Sequence, residues 1–207
     1  MFWFYSGSGS DVIGPLRASL IYDVPVFLSY LSLIPGMAVF LVRMETDFVE
    51  YYSNFYDAVR EGGSLSYIED MRNQMVFVIR QGIFQILKIQ AISALLIMVA
   101  GAQIFAALGI TDLYLPLLKV QLVATALQVV FLAIINVFCY LDQRRMLVLL
   151  TGLFFVLNVF FTAISLYLGP QFFGFGFLLS LAVCVMLGLW LVNRKMGELE
   201  YSTFMLH

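Results

Sequence analysis

From Met146 to Asn193 the chain carries no aspartate, glutamate, lysine or arginine, and the same holds from Ile89 to Thr111 and from Val120 to Leu141. A hydrocarbon layer about 30 Å thick is crossed by about 20 helical residues, and lipid leaves no backbone polar group unpaired. Charge-free runs of this length therefore dictate membrane-spanning helices. Composition agrees, with 62% of the 207 residues hydrophobic and 12% charged, against roughly a quarter charged in soluble domains.

Five spans follow: Val24 to Val42, about Ile89 to Ile110, Leu115 to Tyr140, Met146 to Leu168, and Phe172 to Val192. The expected fold class is an all-α polytopic bundle. Residues 1–23 read as the end of a preceding span and an outer loop, 24–42 as the first span, 43–88 as a cytoplasmic helical hairpin, and 89–207 as the remaining spans and tail. Charge sorts the connections. Arg43, Arg60, Arg72 and Arg80 follow the first span, Arg144 and Arg145 the third, and Arg194 and Lys195 the fifth, while residues 109–114 and 169–173 hold no basic residue. The positive-inside rule then puts the N-terminus outside and the C-terminal tail in the cytoplasm.

Two features interrupt the first span. Asp23 before Pro25 is a helix-start signal, its carboxylate accepting from unpaired first-turn N–H groups; as an acid near the membrane it is also a transport-path candidate. Pro35 lacks the N–H that would reach the Leu31 carbonyl, and Gly36 follows it, so this pair is the expected hinge.

The connection to the second span is patterned. Phe48, Tyr51, Tyr52, Phe55, Tyr56 and Val59 recur at helical spacing, with Asp47, Glu50, Asp57 and Glu61 on other faces. Gly62-Gly63 stops this helix, and Ser66 to Glu69 has the spacing of a capping box that starts a return helix. The stripe either packs on the hairpin's own second arm or docks a protein partner, with Phe48, Tyr52, Phe55 and Tyr56 as interface candidates. The helix is acidic, which disfavours anionic lipid. Lys88 falls where the return arm reaches the membrane, and reads as a snorkelling lysine or a substrate-coupling one; Lys119 reads the same way.

Inside the spans, Gln121, Thr125, Gln128 and Asn136 fall within an arc of about 80° on one helix. Thr151, Asn158, Thr162 and Ser165 share a face of the next. Uncharged amides and hydroxyls serve interhelical hydrogen bonding, or a path for a neutral polar cargo; the path candidates are Gln121, Thr125, Gln128, Asn136, Asn158 and Thr162. Gly176, Ser180, Cys184 and Gly188 form a small-residue face suited to close helix packing. Catalysis is not expected: the only histidine is His207, and there is no nucleophile elbow, HExxH, phosphate-binding glycine loop or basic nucleic-acid stripe. Cys139 and Cys184 lie apart in apolar runs, so neither a metal site nor a cofactor is expected.

Residues 14–72, with "YDVP", "IPGMAVF" and "METDF", and the closing "LEYSTFM" resemble the C-terminal half of the PelG family, inner-membrane components of the Pel exopolysaccharide system. The resemblance spans essentially the whole chain. It implies a flippase-superfamily exporter of about twelve spans, moving an N-acetylgalactosamine-rich polymer across the bacterial inner membrane. It implies partners as well: a cytoplasmic glycosyltransferase, further inner-membrane Pel components, and an N-terminal half that this chain would lack. The competing expectations are a non-transporting scaffold for a polysaccharide synthase and a small-molecule antiporter, the latter depending on Asp23.

Overall fold

The computed structural model describes residues 1–4, 9–14, 16–107, 109, 111 and 114–197. The expectations for the tail from residue 198 to His207, and for the second span's end at Ile110, lie outside the described residues. The chain is an all-α bundle preceded by a short hairpin of β1 (Ser10–Ile13) and β2 (Leu16–Ala18), antiparallel, with Gly14 at positive φ in the turn. The sequence predicts an outer loop here, and the structure pairs part of it as strands. Its strands are short and an Arg17–Asp11 ion pair at 2.8 Å ties them.

The first span is two helices, α1 (Leu20–Leu31) and α2 (Leu33–Val42), broken at Ser32, with 41° between α1 and the run Leu33–Arg60 that α2 begins. A six-residue π-helical segment, Arg43–Phe48, carries the chain into α3 (Val49–Arg60). Gly62 at positive φ turns it, and α4 (Leu65–Ala107) returns as one unbroken helix of 43 residues, about 65 Å long at 1.5 Å per residue. That is twice the apolar layer. Return arm and second span are therefore one element. The helix begins before Ser66, whose Oγ meets Ser64 Oγ at 3.2 Å.

Three helices follow: α5 (Leu115–Tyr140), α6 (Arg144–Leu168) and α7 (Phe175–Gly197). With α4 they make four helices long and apolar enough to cross a membrane, and the bent α1–α2 pair is a fifth candidate. In its most apolar stretch α5 is 56% buried and α6 only 6%, so α5 is central and α6 peripheral. α7 packs on both. Its small-residue face is the reason: Gly176, Ser180, Cys184 and Gly188 are all buried, and a Cβ on Gly176 would stand 2.6 Å from the Thr162 backbone nitrogen of α6.

Candidate functional site at a broken span

The break in the first span is built from local hydrogen bonds. Pro35 supplies no N–H to the preceding turn, so the chain tightens upstream of it. The Ser32 N–H donates to the Ser29 carbonyl at 3.1 Å, and Ser32 Oγ donates to the same carbonyl at 2.6 Å. Ser29 Oγ donates to Val26 O at 2.7 Å. The break thus sits three residues before Pro35, which lies in the first turn of α2, where proline is tolerated. With arms of 12 and 10 residues, about 18 and 15 Å long, Ser32 is near the middle of the broken segment.

Helix α4 clamps this point. Gln90 Nε2 donates to the Ser32 carbonyl at 3.1 Å and Ser93 Oγ donates to it at 2.9 Å. Ser29, Ser32 and Gln90 are fully buried. Gly36 makes the approach possible, because a Cβ there would lie 2.2 Å from Gln90 Oε1. Of the hinge pair, Gly36 is buried against α4 and Pro35 is exposed. Sequence reading missed Ser32, Gln90 and Ser93. The signal was an amide, Gln90, at the start of the apolar run after Lys88, and what it faces depends on the register of α4.

The path candidates divide between two places. Gln121 is buried and donates through Nε2 to the Tyr22 hydroxyl at 3.1 Å. Thr125 is buried and donates to Leu122 O within its own helix at 3.0 Å. Gln128 is half-buried, yet its Oε1, like that of Gln90, is buried with no partner among the described residues. Asn136 is half-buried nearer the α3–α4 end. Asn158 and Thr162 stand on α6, where Thr162 donates to Asn158 Oδ1 at 3.2 Å. The intervening α7 keeps them from joining the α5 set. At the end of the bundle opposite the α3–α4 hairpin, a cavity of about 480 Å³ is lined by apolar groups including Ile21, Leu117, Val120 and Phe173, and by none of these candidates.

The hairpin aromatics turn inward. Phe48 and Phe55 are fully buried, and Tyr52 and Tyr56 are half-buried. Phe48 meets Tyr140 of α5 edge-on at 5.3 Å, and the Tyr52 and Tyr56 rings lie 4.6 Å apart. Burial pushes the Tyr56 phenol above its ordinary pKa, and Tyr52 adds to it. The faces left outward carry Glu50, Asp57, Glu61, Glu69 and Asp70, all exposed. Asp23 caps α1, accepting from the Ser19 N–H at 2.9 Å and from Trp3 Nε1–H at 3.1 Å. Lys88 is exposed with its ammonium 4.4 Å from the Phe84 ring centroid, and Lys119 is exposed.

No curated protein and no solved structure matches the chain. The family described as PelG, exopolysaccharide exporter (EPS-E), matches residues 1–204. A match over nearly the whole length, on a bundle of apolar helices with a broken span, sets the affiliation: the chain belongs to the PelG family of exopolysaccharide exporters.

Proposed function

We propose that this bundle forms part of the passage by which a neutral amino-sugar polymer leaves the cytoplasm, with the broken first span and the amides behind it as polar lining. The observation that carries the reading is the pair of buried amide oxygens, on Gln90 and Gln128, that have no protein partner among the described residues. An unsatisfied buried acceptor costs about 1–3 kcal/mol. Between the Tyr22–Gln121 and Phe48–Tyr140 contacts, Gln128 falls at nearly the same fraction of α5 as Ser32 does of the path through α1 and α2. Both oxygens thus belong to one depth. They are acceptors for sugar hydroxyls or acetamide N–H groups, and they bring no ion into lipid. A discontinuous helix at mid-depth is the arrangement in which transporters place such groups.

Membrane orientation follows the same reading. Arg43, Arg80, Arg144, Arg145 and Arg194 belong to the α3–α4 end of the bundle, where Arg80 also donates to Asn193 Oδ1. By the positive-inside rule this basic end supports a cytoplasmic face, and the exporter family supports a bacterial inner membrane. The acidic outward faces of the hairpin suit a basic surface on a cytoplasmic glycosyltransferase or another component of the synthesis machinery.

The test is the amount of secreted polymer from Gln90→Leu and Gln128→Leu variants with unchanged membrane abundance. A drop of about tenfold, the equivalent of one lost hydrogen bond of about 1.4 kcal/mol, is expected. A cysteine at position 128, with Cys139 and Cys184 replaced, is expected to react with a water-soluble thiol reagent. Retained export and no labelling would defeat the passage. A scaffold for a polysaccharide synthase is the second reading, favoured by the Gln121–Tyr22 and Thr162–Asn158 bonds that satisfy those groups inside the chain; that same outcome would select it.

A further inference from the structure

The seam between α3 and α4 is open along one side of the hairpin. A cleft of about 280 Å³ lies at its membrane end, between Asp47, Glu50 and Tyr51 on one wall and Gln81 and Gly82 on the other. A second cleft of about 280 Å³ is lined by Tyr51, Asn73, Gln74 and Phe77. Tyr51 and Val78 wall both. The two are therefore compartments of one groove, which follows α4 from Gln81 to Asn73, about 12 Å at 1.5 Å per residue. Each compartment is near the lower end of the roughly 300–1,000 Å³ range of small-molecule sites, room for one small polar unit.

Asn73, Phe77 and Gln81 recur every four residues, so one face of α4 sets a ring between two amides. The hairpin encloses Phe48 and Phe55 yet leaves Phe77 64% exposed. Hydrogen-bonding capacity is open around that ring. Among the described residues Glu50, Tyr51 and Gln81 have no hydrogen-bond or ion-pair partner. Asn73 Oδ1 accepts from Arg72 at 3.0 Å, which leaves its N–H groups, and Gln74 Nε2 donates to Asp70 at 3.0 Å, which leaves its carbonyl. Arg43 is paired with Asp47, so the uncompensated charge in the groove is the Glu50 carboxylate.

A pyranose suits this set. Its C–H face is apolar and lies on an aromatic ring, while its hydroxyls both donate and accept around the rim. A carboxylate accepts from two neighbouring hydroxyls, or from an acetamide N–H, and its charge repels a uronate or a phosphate. Position agrees with chemistry. Gly82, Ile86 and Gln90 share one buried face of α4, so the groove opens about 12 Å from Gln90 along that face.

We propose that this groove holds the neutral amino-sugar polymer on the hairpin side of the membrane, one sugar between Glu50, Tyr51 and Gln81 and the next on the Phe77 ring between Asn73 and Gln74. Its role as a mouth rests on the passage proposed above, whereas its binding is measured apart from export.

The test is isothermal titration calorimetry of the chain in phosphatidylcholine nanodiscs, free of sugar-based detergent. The ligands are N-acetylgalactosamine oligomers of one to four sugars and galacturonic acid oligomers of the same lengths. Affinity for the neutral series is expected to rise about tenfold from one sugar to two and then level off, with the acid series about tenfold weaker throughout. Phe77→Ala is expected to remove the gain from the second sugar and keep the first. Glu50→Gln is expected to weaken the single sugar and to close the gap to galacturonic acid. Glu69→Gln, exposed on the same arm outside the groove, is expected to change neither. The length and charge comparison on the unaltered chain needs no variant to fold. No binding of any oligomer, equal affinity for the acid series, or a length dependence untouched in well-folded Phe77→Ala would overturn the groove. So would a single sugar bound as tightly as the tetramer, which would assign the cleft to a monomeric glycosyl donor. Thiol labelling at position 128 without oligomer binding would keep the passage and remove the groove; oligomer binding without that labelling would do the reverse.

Discussion

Gly36 and Gly176 both sit where a side chain would collide, but with different neighbours. At Gly36 the obstacle is Gln90 Oε1, the end of a side chain, whereas at Gly176 it is the backbone of Thr162. Overpacking costs about 1–3 kcal/mol, and a side chain yields where a backbone does not. Gly36→Ala is expected to lower the melting temperature of the solubilised protein modestly, and Gly36→Ala combined with Gln90→Ala to lose less than the two changes summed. Gly176→Ala is expected to cost more, at the top of that range, with no single side-chain replacement restoring it. The Gly176 face was legible because small residues recur every four positions. The Gly36 contact was not, because its partner is set by how far the hairpin delays α4 before it enters the membrane.

At the scale of elements, the hairpin was legible and its surroundings were not. An amphipathic stripe declares a buried face, and Phe48 and Phe55 are enclosed as its centre. Phe55→Ala removes a ring from a packed site, a loss of about 3–5 kcal/mol. It is expected to speed proteolysis around Gly62-Gly63 while the spans stay resistant. Tyr140→Ala removes the ring that α5 sets against Phe48 and Tyr52. It is expected to raise amide hydrogen exchange at 43–56 and to leave the tip near Gly62 unchanged. The π-helical turns carry no comparable mark in the sequence, because they answer the packing of α2 and α3 on α4 rather than local propensity. The first-span break is an intermediate case: Pro35 announces it, but a missing N–H acts on the preceding turn, so the bend appears at Ser32.

For the whole molecule, charge placement predicts the spans and their alternation but not their arrangement. Helices hydrophobic on every side carry little facial signal, so nothing in the apolar runs tells that α5 is enclosed and α6 peripheral, or that α7 separates them. The polar sets on α5 and α6 do not face each other, since Gly176 draws α7 onto Thr162. Alternation itself is open to a direct check. Single cysteines at Glu61 and Gln171, both exposed and at opposite ends of the bundle, are expected to react with an impermeant reagent from opposite sides of a sealed membrane, and labelling from one side alone would refute the arrangement. The unbroken run of α4 has a mechanical corollary. Gln90 holds Ser32 at one point along it, and Leu65 stands about 38 Å away at 1.5 Å per residue. A tilt of about 10° about that fulcrum sweeps the far end through roughly 7 Å of arc, so the arm of α4 beyond Gln90 is a lever that magnifies small shifts at the break into larger displacements at the hairpin tip.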